Sequence, residues 1–228
     1  MNVHCIILAR GGSKGIPKKN IIDFCGKPLL AWTIEQCRSS SSVSDVWVSS
    51  DDDDILDVAK SYAARTIKRP VEISDDMASS ESGWLHAVDY LRNNNILLDI
   101  VLAPQVTSPL RETIDIDSAI NKFNAEKFDS LFSASITEDL YFWEESKNGI
   151  HSVNYDYKNR KRRQDFKGQI IENGSFYLFK PEILQKENNR FGGKIGYSKM
   201  ASWKMFEIDN INDIRMCSAL MKEFLIKE

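Results

Sequence analysis

Short runs of consecutive apolar residues alternate along this chain with longer stretches whose apolar positions recur at helical spacing. That alternation predicts an α/β fold with a mainly parallel sheet. Ile6-Ile7-Leu8 is continuously apolar and ends in a glycine-bearing loop, as expected of a central strand buried on both faces. Pro28 heads a helix predicted to run to Cys37, because proline fits the first helical turn. Val46-Trp47-Val48 reads as a second strand. Asp52, Asp53 and Asp54 then open a helix toward Tyr62, where carboxylates face the positive end of the helix dipole. A helix follows over 81–93, with Leu85, Val88 and Leu91 on one face, and then a strand, Ile100-Val101-Leu102, broken by Pro104. Ile116, Ala119, Ile120 and Phe123 give a helix over 113–123, followed by strands over 130–134 and 175–179. Ile211, Ile214, Cys217, Met221 and Phe224 form the apolar face of a closing helix. The segment 138–169 breaks the pattern: it is aromatic and irregular, with basic residues at Lys158, Arg160, Lys161, Arg162 and Arg163. It reads as an insertion or a dimer arm.

Composition narrows the classes. At 228 residues and 42% hydrophobic the chain has enough apolar mass for one large domain, which excludes wholesale disorder. A net charge of −3 argues against a general polyanion binder, so no nucleic-acid partner is expected. No stretch matches a membrane span, and the N-terminus lacks the basic lead and cleavage site of a secretory signal. The four cysteines (Cys5, Cys25, Cys37, Cys217) form no CxxC pair and read as reduced thiols of a cytoplasmic protein.

The most informative stretch is Leu8-Ala9-Arg10-Gly11-Gly12-Ser13-Lys14-Gly15-Ile16-Pro17-Lys18-Lys19-Asn20. Its glycines let backbone amides approach an anion closely, and Arg10, Lys14, Lys18 and Lys19 supply charge. The end of a buried strand is also where open α/β sheets bind ligands. A P-loop would need Ser or Thr after the lysine, but Gly15 follows Lys14; a GxGxxG turn is absent too. The residues themselves support a triphosphate or pyrophosphate site, and a solvated basic loop fits them as well.

The same stretch resembles the opening signature of the CMP-sialic acid synthetases (acylneuraminate cytidylyltransferases). Further segments agree in order: Arg69-Pro70, Asp76 through Ser80, Pro104 through Arg111, Arg162-Arg163-Gln164-Asp165, Glu172 through Tyr177, and Glu207-Ile208-Asp209. The resemblance implies a Rossmann-like three-layer α/β/α nucleotidyltransferase with a mostly parallel sheet, one domain over 1–228. It also implies a small dimerisation segment at about 135–170 that makes a homodimer. The implied reaction joins CTP to the anomeric hydroxyl of a nine-carbon 2-keto sugar acid, N-acetylneuraminic acid in the first instance, releasing pyrophosphate. Deaminoneuraminic, legionaminic or pseudaminic acid are alternative acceptors, and a non-catalytic nucleotide-sugar binding module is the rival from another class.

Carried over residue by residue, the resemblance assigns Arg10, Ser13, Lys14, Lys19 and Asn20 to the triphosphate, with Lys19 the costliest single loss and Arg10 second. Arg69, Ser79 and Ser80 fall on the cytidine side, where Ser79 equally suits a helix cap. Gln105, Arg163 and Tyr177 fall on the sugar side. Glu207 and Asp209 stand at the family's metal-binding acidic pair for Mg2+ or Mn2+. The family carries Asp-x-Asp there, so Glu207 departs by one methylene and water-mediated contact stays open. On a strand the two carboxylates would share a face. Asp213 suits a third acid or a helix first turn. Asp51 to Asp54 read mostly as a solvated helix start, and His4, His86 and His151 have no spacing that makes a zinc site or a base.

Overall fold

The computed structural model describes residues 1–13, 15–137, 140–147, 149–165 and 168–226. The chain runs β1 (Val3–Leu8), β2 (Asp23–Phe24), β3 (Lys27–Pro28), α1 (Leu29–Arg38), β4 (Asp45–Ser50), α2 (Asp53–Ser61) and β5 (Arg65–Lys68). It continues through α3 (Ser80–Asn93), β6 (Ile100–Pro104), α4 (Thr113–Ala125), β7 (Ser130–Thr137), β8 (Trp143–Ser146) and β9 (Gly149–Ser152). It ends with β10 (Gln169–Phe179), α5 (Pro181–Glu187), β11 (Ile195–Met200) and α6 (Ile211–Phe224).

Seven strands form the main sheet in the order β11-β7-β10-β6-β1-β4-β5. Every neighbouring pair is parallel except those of β10, which runs antiparallel to both β6 and β7. Period-two alternation along β1 divides the core. Val3, Cys5 and Ile7 face a cluster built from α1, α2, α4 and α6, while Ile6 faces Trp84, Ala87, Val88 and Leu91 of α3 and Leu184 of α5. Helices therefore cover both faces, giving the expected three layers. No helix among the described residues is long and apolar enough to cross a membrane.

Local chemistry explains the ends. Asp52 caps α2 by accepting from the amides of Asp54 and Ile55. Ser79 caps α3 through the Ser82 amide, 3.1 Å away. β6 ends at Pro104, where the sequence breaks the strand: pairing with β1 already stops at Leu102, so at Pro104 only the β10 ladder remains and the missing N–H disturbs nothing on the other side. Other elements differ from the sequence pattern. β10 starts six residues before the predicted strand, because a register shift between Glu172 and Tyr177, with Gly174 at φ +65, lets one strand continue through the irregularity. β5, α5 and β11 lack sequence signatures strong enough to be predicted, being four, seven and six residues long with polar exposed positions. Within 138–169 the described residues hold the β8–β9 hairpin and two short 3-10 turns.

Candidate active site

The loop after β1 lies where the connections diverge: β1 is paired with β4 on one side and with β6 on the other. Such a point leaves a crevice at the strand ends. A cavity of about 500 Å³ occupies it. Its wall includes Arg10, Ser13, Lys19 and Asn20 from the loop, Arg69 after β5, Ser79 and Ser80 at the start of α3, and Asp209 before α6. The cationic loop and the late acid, 190 positions apart, thus share one cavity.

The loop is held by its own side chains. The buried Asn20 donates from Nδ2 to the Arg10 carbonyl at 2.9 Å, closing the loop on itself. Arg10 donates from Nη1 to the Asp75 carbonyl at 2.7 Å and places Nη2 2.9 Å from the Asp76 carboxylate. Lys19 donates from Nζ to the Ile208 carbonyl at 3.1 Å and to Asp209 Oδ1 at 3.0 Å. Gly15 sits so close to this segment that a Cβ there would lie 2.7 Å from the Asp209 carbonyl oxygen, so the approach needs glycine.

Arg69 is almost fully buried. Its Nε donates to Ser74 Oγ at 2.8 Å and its Nη2 lies 3.9 Å from Asp51. Burial pulls its proton affinity down, with Asp51 opposing, yet an arginine starts so high that it stays charged. Asp51 also accepts from the Gly11 amide at 3.1 Å, so one acid of the aspartate run ties the loop to Arg69.

Glu207 and Asp209 do not lie on a strand, which corrects the geometry expected for them: they occupy the link between a 3-10 turn and α6. Burial changes from one residue to the next over 207–209. Ile208 is buried and donates to the Thr107 carbonyl at 2.8 Å, while Asp209 is exposed beside Lys19. Burial, and then the charge of Asp209, push the Glu207 carboxyl above its ordinary value, with Lys19 and Arg111 opposing. Asp213 closes the capping box of α6 and accepts from the Asp209 and Asn210 amides at 2.8 and 2.9 Å, so its carboxylate belongs to the helix start.

Glu207, Gln105 and Tyr177 do not line the 500 Å³ cavity. Glu207 and Gln105 meet at Gly174, where a Cβ would overlap the Glu207 carboxylate and lie 3.3 Å from Gln105 Oε1. Tyr177 is 4% exposed and donates to Glu172 Oε1 at 2.7 Å. Burial, with that hydrogen bond, raises its phenol well above the usual tyrosine range. Lys14 and the Arg163 side chain lie outside the described residues. Sequence reasoning missed Asp75 and Asp76 as the partners of Arg10. It also missed what Arg111 does. This fully buried guanidinium donates to Ser175 Oγ at 3.1 Å, to the Ser108 carbonyl at 2.5 Å and to the Gln105 carbonyl, so it clamps the loop that carries Gln105 and Thr107. An arginine inside an apolar-flanked loop was the available signal.

A hard divalent cation suits the donors here. Burial, and after it the neighbouring Asp209 charge, raise the proton affinity of Glu207, and a cation would relieve the second of these. Among the described residues no three His, Cys, Asp or Glu side chains gather into a cage.

Comparison with known proteins agrees with this geometry. A family model described as cytidylyltransferase matches residues 4–217. The chain is 36% identical to an N-acylneuraminate cytidylyltransferase of Oncorhynchus mykiss over 91% of this chain and 48% of that protein, so it spans about half the length of that relative. It is 33% identical to a pseudaminic acid cytidylyltransferase of Campylobacter jejuni subsp. jejuni serotype O:23/36 (strain 81-176), over 96% of this chain and 95% of that one. A solved CMP:2-keto-3-deoxy-manno-octonic acid synthetase complexed with CTP has the same fold, with a TM-score of 0.75 at 15% identity, covering 99% of this chain and 100% of its own. With the loop, the crevice and nearly the whole sheet accounted for, the chain belongs to the cytidylyltransferase family, in keeping with its resemblance to the CMP-sialic acid synthetases.

Proposed function

We propose that this protein transfers CMP from CTP to the anomeric hydroxyl of N-acetylneuraminic acid and releases pyrophosphate. The observation that carries this reading is Lys19 beside Asp209 at 3.0 Å, in a cavity that also presents Arg10, Ser13, Asn20 and Arg69. Arg10, Ser13, Lys14, Lys19 and Asn20 hold the triphosphate. Lys19 and Arg10 offset the negative charge that builds on the departing pyrophosphate, acting as fixed positive groups aimed at the leaving oxygens. Their present partners, Asp209 and Asp76, keep both cations oriented toward the cavity. Arg69 and Ser80 meet the cytosine and ribose, whose acceptors suit guanidinium and hydroxyl donors, and the amides at the Ser79-capped helix start add further donors.

Gln105, Tyr177 and Arg163 orient the sugar acid, Arg163 by pairing with its carboxylate. Alignment of the C2 hydroxyl with the α-phosphorus is then the main lever on rate. Asp209, with Glu207 beside it, would hold Mg2+ or Mn2+, which when bound neutralises phosphate charge.

A second reading, pseudaminic acid as the acceptor, is favoured by the Campylobacter relative, which matches along 95% of its own length and bears that substrate in its name. One assay separates the two. The protein is incubated with CTP, Mg2+ and a panel of nonulosonic acids, and pyrophosphate release is measured. Turnover with N-acetylneuraminate is expected, turnover with pseudaminic acid alone moves the assignment to the second reading, and no turnover with any acid overturns both. EDTA should abolish the reaction and Mg2+ or Mn2+ restore it; metal-independent turnover would remove the role given to Asp209.

The chain works as one domain over 1–228, as a homodimer joined through the segment around 135–170. Trp143 and Ile150 on the β8–β9 hairpin support this, being 47% and 67% exposed. Light scattering at micromolar concentration should give twice the monomer mass, and a monomer would refute the arm. We place the reaction in the cytoplasm, consistent with four cysteines that are all free.

A further inference from the structure

Arg190, in the link after α5, lies outside the nucleotide cavity, packed between an acid and two aromatic rings. Its Nε donates to Glu81 Oε1 at 2.9 Å, and both side chains are mostly withdrawn from solvent, 19% and 13% exposed. Its guanidinium carbon lies 4.7 Å from the Trp84 ring centre and 4.6 Å from that of Tyr177. Planar guanidinium stacks on aromatic faces in a way that ammonium does not, so two rings at this distance fix its plane.

The two ends of this contact belong to different halves of the site. Glu81 lies in the first turn of α3, next to Ser79 and Ser80, which line the cavity. Tyr177 lies on β10, packs edge-on against Trp84 and Phe191, and directs its hydroxyl to Glu172. The Arg190 charge also opposes the burial that raises the Tyr177 phenol.

We propose that Arg190 is a positioning residue: it fixes the Tyr177 ring on the acceptor side and, through Glu81, locks that wall to the helix start facing the nucleotide. The inference rests on the reading of Tyr177 as a sugar-acid contact. It assigns Arg190 to acceptor recognition with no contact to the reacting atoms, so its loss should weaken the acceptor and spare CTP.

The test uses the full chain carrying Arg190→Met, and the double variant Arg190→Met with Glu81→Gln. The double variant removes both charges and avoids stranding a buried carboxylate, which protects folding. At a temperature below both melting transitions, KM for the sugar acid should rise about tenfold or more in each variant, while KM for CTP stays within about twofold. Arg190→Lys should rescue little of this, because the planar contact is lost. A fall in melting temperature with both KM values unchanged, or equal rises in both, would overturn the proposal. A crystal structure of the double variant supplies a readout that needs no turnover: the Tyr177 hydroxyl should leave Glu172, and its retention would overturn the proposal. Wild-type protein inactive on every acid would instead reject the sugar-acid reading itself, with the Tyr177 position still deciding whether Arg190 sets the ring.

Discussion

Lys19 Nζ lies 3.0 Å from Asp209 Oδ1, with the Lys19 side chain 16% exposed and that of Asp209 70% exposed. The asymmetry matters. The lysine is held by buried backbone, through the Ile208 carbonyl, while the carboxylate reaches into the open cavity and can exchange partners. Lys19→Ala should therefore cost little stability, since an ion pair with one exposed partner contributes about 1 kcal/mol or less. Its effect on kcat should be large, about 10²–10³-fold, the usual loss when one fixed stabiliser of transition-state charge is removed. Steady-state kinetics beside a thermal melt checks both, and wild-type turnover would refute the leaving-group role proposed for Lys19.

Arg111 supports the loop behind this pair without touching the 500 Å³ cavity. Its guanidinium is fully buried and its proton affinity is lowered by that burial. Arg111→Met removes a charge and leaves the Gln105 and Ser108 carbonyls without these donors. Loss of about 1–3 kcal/mol is expected, the cost of leaving buried acceptors without donors. Urea unfolding measures it. A loss below about 1 kcal/mol would show that the loop holds its shape without the clamp.

The fold was legible where burial is two-sided or periodic. Ile6 to Leu8 shows in sequence because a central strand must be apolar on both faces, and α4 shows because Ile116, Ala119, Ile120 and Phe123 meet one core. β11 was not legible: Gly196 and Ser198 take two of its three inward positions at the sheet edge, with Met200 the third, while Ile195 points to solvent, so the alternation carries little apolar signal. In the site, the loop stood out because its glycines and lysines follow a buried strand, where open α/β sheets bind ligands, although a solvated basic loop fitted the same residues. What could not be read was which acid each cation meets. Arg10 with Asp76 and Lys19 with Asp209 are contacts set by tertiary packing, and spacing along the chain does not encode them.

Asp129 gives the protein a pH dependence far from the cavity. Its carboxylate accepts from Lys180 Nζ at 2.6 Å and from the Lys194 amide at 2.8 Å, and these contacts hold it below the ordinary carboxylate value. An acid whose folded value is depressed adds stability above its unfolded value, and that stability is lost as pH falls through the folded value. Asp129→Asn should thus be less stable than wild type at neutral pH, by about 1 kcal/mol for a hydrogen-bonded charge of this exposure. The gap should start to narrow below about pH 4, the unfolded range for aspartate, and close only below the depressed folded value. Denaturant melts at pH 7 and pH 3 decide it, and a gap as wide at pH 3 as at pH 7 would contradict the assignment.

Gly174 brings Glu207 and Gln105 together against β10. Its φ of +65 lies in the left-handed region, and a Cβ would overlap the Glu207 carboxylate. Gly174→Ala therefore meets two separate penalties: about 1–2 kcal/mol for the backbone conformation, and whatever it takes to displace Glu207. The second can be isolated. Glu207→Asp shortens the side chain and withdraws its oxygens from the added methyl, so the double variant should recover part of the loss that Gly174→Ala suffers alone. The backbone penalty should remain in both. If the two changes are simply additive in a denaturant titration, the Glu207 carboxylate does not press on β10, and the link from the acidic pair to the acceptor wall is lost.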